Sequence, residues 1–171
     1  SGLNPRTDSI IGISFSNSRS DAISIDFTKR DLVEISAKFL EDGKRGKCTQ
    51  NGSFDCAFLK TYGIDVKGLT YDTRLAEHLL NSDLPTDLQF LRRNYTDIPA
   101  YKPTQREMKN VASMPLEKVA EFACWDALTT YTVMQEQLKR LTPGNLEVLN
   151  SIYLPLIFTL NTMTRKGIKL D

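Results

Sequence analysis

The chain has 171 residues, 40% hydrophobic and 25% charged, which suffices for one domain with a real core and a short appendage. Lys plus Arg number 22 and Asp plus Glu 21, a net charge of +1 that neither demands nor excludes a nucleic-acid partner. No apolar run approaches the roughly 18–20 residues of a membrane span, and the opening Ser1-Gly2-Leu3-Asn4-Pro5-Arg6 lacks the basic-then-apolar pattern of a signal peptide.

Residues 9–16 (SIIGISFS) and 21–27 (DAISIDF) alternate apolar with small or polar residues and predict two strands. Asn17-Ser18-Arg19-Ser20 between them is turn chemistry, so the pair is expected to be antiparallel. Arg30–Glu41 predicts a helix that buries Leu32, Ile35, Phe39 and Leu40 and stops at Gly43. A short strand at 47–50 follows, then a helix from about Ser53 to Tyr62, capped by Asn51 or Ser53 and ended by Gly63.

Gly68–Tyr71 predicts a third short strand of the core, and Asp72 caps the next helix, which closes near Asn81-Ser82. Asp87–Asn94 predicts another short helix, and residues 96–112 are irregular. From Pro115 a long helix is expected, with Leu116, Val119, Ala120, Ala123, Ala127, Tyr131, Met134 and Leu138 on one buried face, continued by Leu141. Thr142-Pro143-Gly144 breaks it, and a last helix is expected from about Leu146 to Arg165, ending at Gly167. Strands first and helices afterwards imply an α+β or mixed α/β layout.

Cys48, Cys56 and Cys124 are odd in number and form no CxxC or CxxH pair. That argues against zinc and for free thiols in an intracellular, reducing compartment. His78 is the sole histidine and has no evident nucleophile beside it. Lys44, Arg45 and Lys47, then Arg92 and Arg93, then Lys102, Arg106 and Lys109 form basic patches, read first as solvated surface and only second as a phosphate track.

Two carboxylates stand out. Asp55 falls in the first turn of a helix that follows a strand, where the helix dipole favours a negative charge. Asp126 lies mid-helix at the edge of the apolar stripe, where a carboxylate needs a basic partner or a metal ion.

Gln50-Asn51 through Phe54-Asp55, continuing as FLKTYGIDVKGLTYDTRLAEHLLNS over residues 58–82, resembles the second exonuclease motif of DNA polymerase I-type, family-A DNA polymerases. Residues 121–131, EFACWDALTTY, resemble the third motif. Residues 154–171, LPLIFTLNTMTRKGIKLD, resemble the segment that leads into the polymerase domain.

The resemblance implies a ribonuclease H-like exonuclease fold, a central mixed sheet with helices around it. Residues 1–142 would form the 3′–5′ exonuclease domain and 143–171 the connecting helix. It further implies a proofreading enzyme that uses two divalent cations, Mg or Mn, held by four acidic residues, on a single-stranded DNA 3′ end, with a covalently linked polymerase domain. Asp55 and Asp126 match two of the four acids. Gln50 and Asn51 match positions beside the primer-end backbone, Phe54 belongs to the same motif, Leu3 matches an apolar wedge beside the terminal base, and Tyr101 matches an aromatic for unpaired bases.

The sequence departs from the family pattern in two places. The family's first motif is Asp-x-Glu, and none of the 171 residues forms such a pair. The strand that carries it, expected at the sheet centre, is expected upstream of Ser1. The tyrosine that hydrogen-bonds the attacking water is replaced by Phe122, and the position where a related subfamily has histidine is Glu121. An impaired, exonuclease-like module with a DNA-binding or structural role is the alternative. Asp72 is expected as a helix cap, Cys56 and Cys124 as core residues, and Trp125 as packing. If Asp55 and Asp126 share a metal, their carboxylates must converge, one pKa must rise, and no Lys or Arg should neutralise both.

Overall fold

The turn at Asn17–Ser20 brings two strands face to face, β1 (Gly12–Ser16) and β2 (Ala22–Asp26). They pair antiparallel, with Gly12 opposite Asp26 and Phe15 opposite Ile23. Ser18 holds the turn by accepting hydrogen bonds at its hydroxyl from the Ser20 and Asp21 amides, at 3.2 and 2.8 Å. The structure, a computed structural model, describes residues 4–102 and 114–167.

Helix α1 (Arg30–Leu40) follows. Its buried stripe keeps Leu40 and Phe39 of the expected set but not Ile35: Ser36 and Leu40 are buried, Val33, Ala37 and Phe39 pack beside them, and Ile35 is 59% exposed. Positions 33, 36, 37 and 40 obey the same three- and four-residue spacing as 32, 35 and 39, so periodicity alone admits both faces. Contact with Phe27, Leu59 and Ile64 selects the former. Gly43 does not carry the left-handed φ of a helix-stopping glycine; the chain leaves α1 through Glu41 in a right-handed conformation.

Strand β3 (Lys47–Thr49) pairs parallel with β4 (Leu69–Asp72), and helix α2 (Gly52–Thr61) crosses between them. Gly63 and Gly68 both have positive φ. At Gly68 a Cβ would lie 2.5 Å from the Arg45 carbonyl oxygen, so glycine is required there on two counts. Helix α3 (Thr73–Leu80) starts directly from β4, capped as expected by Asp72, whose Oδ1 accepts from the Arg74 and Leu75 amides. Helix α4 (Leu88–Tyr95) is capped by Asp87.

The long helix α5 (Leu116–Leu138) packs across β1 and β2, against α4 and α3. Its most deeply buried residues are Leu128, Thr129, Thr132, Val133 and Gln137, whereas Leu116 and Leu138 are exposed. The expected apolar face is thus displaced toward polar residues whose hydrogen bonds are satisfied inside. Gln137 Nε2 donates to Glu77 Oε2 at 2.9 Å and to the Thr73 carbonyl at 3.1 Å, and the Tyr95 hydroxyl donates to Glu77 Oε2 at 2.6 Å.

Thr142-Pro143-Gly144 does more than break the chain. Thr142 caps helix α6 (Pro143–Val148) in a reciprocal box with Asn145, with Pro143 in the first turn. The expected single last helix is divided: a π-helical turn over Leu149–Tyr153 joins α6 to α7 (Leu154–Lys166). Pro155 explains the widening, because it has no N–H for the preceding turn and its ring crowds the carbonyl four residues back. Leu149, Leu154 and Ile157 bury themselves with Tyr71, Ala76 and Leu141.

Two basic residues expected at the surface are structural. Lys47 is 8% exposed and its ammonium donates to the Asp42 and Arg45 carbonyls, at 2.7 and 2.9 Å. Arg92 is equally buried and donates to the Ile98 carbonyl. The three cysteines are free thiols. No helix of the described residues is long and apolar enough to cross a membrane.

Candidate active site

Three aspartates from three elements approach one another where α2 begins. Asp72 ends β4 and is fully buried. Its Oδ2 accepts from the Gly52 amide at 2.6 Å and the Thr49 hydroxyl at 2.7 Å, while Oδ1 caps α3. One carboxylate therefore ties β3, β4, α2 and α3 together and fixes where the first turn of α2 points. Gly52 has no room for a side chain: a Cβ would meet Thr49 Oγ1 at 2.4 Å and Asp72 Oδ2 at 3.3 Å. Asn51, with φ of 65°, supplies the left-handed step into the helix and makes no side-chain cap.

Asp55 stands in that first turn. Asp55 is an exposed residue, yet protein atoms gathered around its carboxyl on the inner side decide the direction of its ionisation. Lost hydration is the largest cause, followed by the charges of Asp72 and then Asp126, and together they push its pKa up to about 7. Among the described residues Asp55 belongs to no ion pair.

Asp126 projects from the middle of α5 and is held at both oxygens. The Tyr101 hydroxyl donates to Oδ1 at 2.7 Å, and the Lys102 ammonium lies 2.9 Å from Oδ2. Tyr101 is itself braced: Thr129 Oγ1 donates to its hydroxyl at 3.2 Å, and its ring stacks on Trp125 with centroids 5.8 Å apart. Burial, and then the Asp126 charge, raise the Tyr101 pKa, keeping the phenol a donor. Phe122 lies one turn before Asp126 on α5, half-buried, with no hydroxyl to offer a water molecule.

The other residues expected around the site fall as follows. The Gln50 amide is engaged on both sides, donating to the Thr86 carbonyl at 2.9 Å and accepting from the Thr73 hydroxyl. Phe54 is 38% exposed and packs on Phe58, with centroids 4.8 Å apart. Leu3 lies outside the described residues. Cys56 is buried next to Asp55, and burial together with the Asp55 and Asp72 charges pushes its thiol up to about 12, which makes it inert. Sequence reasoning missed Lys102 as the partner of Asp126 and Tyr101 as its hydrogen-bond donor; the basic partner considered for Asp126 had no assigned position. Both stand in an irregular stretch where no periodicity tells which way a side chain faces.

Carboxylate oxygens are the donors that hard divalent ions prefer, and the charge of Asp126 is near enough to contribute to the raised Asp55 pKa. This fits half of a carboxylate metal centre. Among the described residues, no group of three His, Cys, Asp or Glu side chains is arranged to hold an ion.

Comparison with known proteins agrees with the resemblance. The family model described as 3′-5′ exonuclease matches residues 1–142. DNA polymerase I of Synechocystis sp. is 28% identical over 146 residues, covering 82% of this chain and 15% of the relative. DNA polymerase I of Chloroflexus aurantiacus is 30% identical over 148 residues, covering 82% and 16%. The chain thus spans about a sixth of the length of these two relatives. Among solved structures, Brucella melitensis NrnC superposes with a TM-score of 0.73 at 21% identity, over 98% of this chain and 84% of that one. The POL domain of Pol1 from M. smegmatis, in complex with DNA primer-template and dNTP, gives 0.62 at 23% identity, over 88% and 24%. These likenesses support a ribonuclease H-like fold. With the family match spanning residues 1–142, the chain belongs to the 3′–5′ exonuclease domains of family-A DNA polymerases.

Proposed function

We propose that this domain removes nucleotides from DNA 3′ ends by metal-assisted phosphodiester hydrolysis, as the proofreading part of a DNA polymerase. One observation carries the reading. Asp55 and Asp126, the family-matched acids on α2 and α5, are near enough that the Asp126 charge, after burial and Asp72, contributes to raising the Asp55 pKa. Carboxylates gathered against their own repulsion suit a site for cations better than a purely structural role.

In this reading Asp55 and Asp126 are two of four ligands for Mg or Mn ions, which when bound activate water and stabilise the leaving 3′ oxygen. Asp72 orients Asp55 by fixing the start of α2, and Tyr101 orients Asp126. Asn51, exposed Phe54, the Tyr101 ring and Leu3 are candidates for contact with the unpaired 3′ end. Gln50, whose amide is engaged by Thr73 and Thr86, serves chiefly to shape the loop before α2. An Asp-x-Glu strand lying between the β1–β2 and β3–β4 pairs would supply the other two acids and unite the pairs in one mixed sheet. Residues 143–171 would lead into the polymerase domain.

The test is hydrolysis of a 3′-labelled single strand, with Mg or Mn, by a chain in which an Asp-x-Glu strand precedes Ser1. Asp55→Ala and Asp126→Ala should each lower the rate on the order of a hundredfold or more, and the 171 residues by themselves should be inactive. Full activity in both variants would refute the reading. A second reading, an impaired module that binds a primer strand without cutting it, is favoured by Phe122 and by the Lys102–Asp126 pair. It predicts DNA binding without hydrolysis in that same chain.

A further inference from the structure

The two proposed metal ligands are treated unequally by the protein around them. Asp55 belongs to no ion pair among the described residues, whereas Asp126 carries a cation of the protein's own. Lys102 Nζ sits 2.9 Å from Oδ2. Oδ1 already accepts from the Tyr101 hydroxyl, which makes Oδ2 the oxygen less engaged by neutral side chains, and it is the one that the ammonium covers. Tyr101 is anchored by Thr129 and Trp125, which sets the next residue down beside the carboxylate. Among the described residues Lys102 is held by this ion pair, on a long stem with several rotatable bonds.

We propose that Lys102 is a tethered competitor for the divalent ion at Asp126: its ammonium occupies the coordination position on Oδ2, and the ion binds only as the lysine lets go. The inference rests on reading Asp126 as a metal ligand. Its size follows from exposure. The Lys102 and Asp126 side chains are 30% and 35% exposed, so water screens the pair and the competition is modest. An exposed-type pair shifts an equilibrium by about two- to fivefold.

The experiment is a titration of the full-length protein with Mn²⁺ alone, followed by the electron-spin signal of the free ion, in wild type, Lys102→Met, Lys102→Arg, Asp55→Ala and Asp126→Ala. Lys102→Met should bind the ion about two- to fivefold more tightly, and Lys102→Arg should bind it no more tightly than wild type. Lys102→Gln serves in place of the methionine variant if that protein unfolds. Equal or weaker binding in the neutral variants, with wild-type binding abolished in Asp55→Ala and Asp126→Ala, overturns the competitor and spares the metal centre. Binding that survives both aspartate substitutions, or no binding in any of the proteins, overturns both.

Discussion

The ionisation of Asp55 offers a direct handle on the site. With its pKa pushed up to about 7, the carboxyl is half ionised at neutral pH and only about 1% ionised at pH 5. An aspartate at the ordinary value of roughly 3.9 is more than about 90% ionised at pH 5. The sign for stability follows from the folded form holding this proton more tightly than the unfolded chain does. That contribution is fully present below the unfolded value of about 3.9 and is lost as pH rises through about 7. Asp55→Asn, neutral at every pH, should match wild type in Tm near pH 4 and exceed it increasingly between pH 5 and 8. Carbon-detected NMR of the Asp55 carboxyl gives the midpoint itself, and thermal unfolding at stepped pH gives the difference in Tm. A midpoint near 4, or a difference in Tm that does not change with pH, would refute the argument that desolvation and the neighbouring acids govern this group.

Two further outcomes follow from the same neighbourhood. Phe122→Tyr, in a chain that carries the upstream acids, should raise the exonuclease rate about tenfold or more by restoring a hydroxyl one turn from Asp126; an unchanged rate with Mn²⁺ binding preserved would remove Phe122 from the water's path. Asp72→Ala should cost about 3 kcal/mol in urea unfolding, because it strips the cap from α3 and leaves the buried Gly52 amide and Thr49 hydroxyl unsatisfied; it should also lower the Asp55 midpoint, whereas a loss under about 0.5 kcal/mol would show that the ties are replaceable.

Much of the architecture was legible because short-range chemistry and packing agree there. The β1–β2 hairpin, Asp72 as a cap and Gly63 after α2 all follow from residues whose local preference the fold obeys. The faces of α1 and α5 were not legible. Ile35 satisfies helical spacing as well as Val33 does, and only contact with Phe27, Leu59 and Ile64 tells them apart. On α5 the buried stripe runs through Thr129, Thr132 and Gln137, which a hydrophobicity pattern places outside. Their burial depends on partners distant in sequence, such as Glu77 and the Thr73 carbonyl for Gln137. At the candidate site, Asp55 and Asp126 stand out in the sequence through motif and position. Lys102 was not, since a loop has no period from which to read a direction.

The electrostatics of α2 weigh against a purely structural Asp55. A carboxylate in the first turn of a helix is stabilised by the dipole, by roughly 0.3–1 kcal/mol, and that influence lowers its pKa. Lost hydration and the two neighbouring acids push the other way, upward. A structural acid at this position would be served by an open first turn with no anion nearby. Instead Asp72, fixed by four hydrogen bonds, cannot move off, and Asp126, held by Tyr101 on a stacked Trp125, cannot either. Lys102 relieves the crowding only at Asp126. Two immobile acids thus press on a third that has no counter-ion among the described residues. Under the proposed reading, Asp55 and Asp126 would each help to hold a divalent cation, for which Asp55 would have to give up its proton and Asp126 its lysine. On that reading the affinity for such an ion would depend on two competitors, the proton at Asp55 and the ammonium of Lys102 at Asp126.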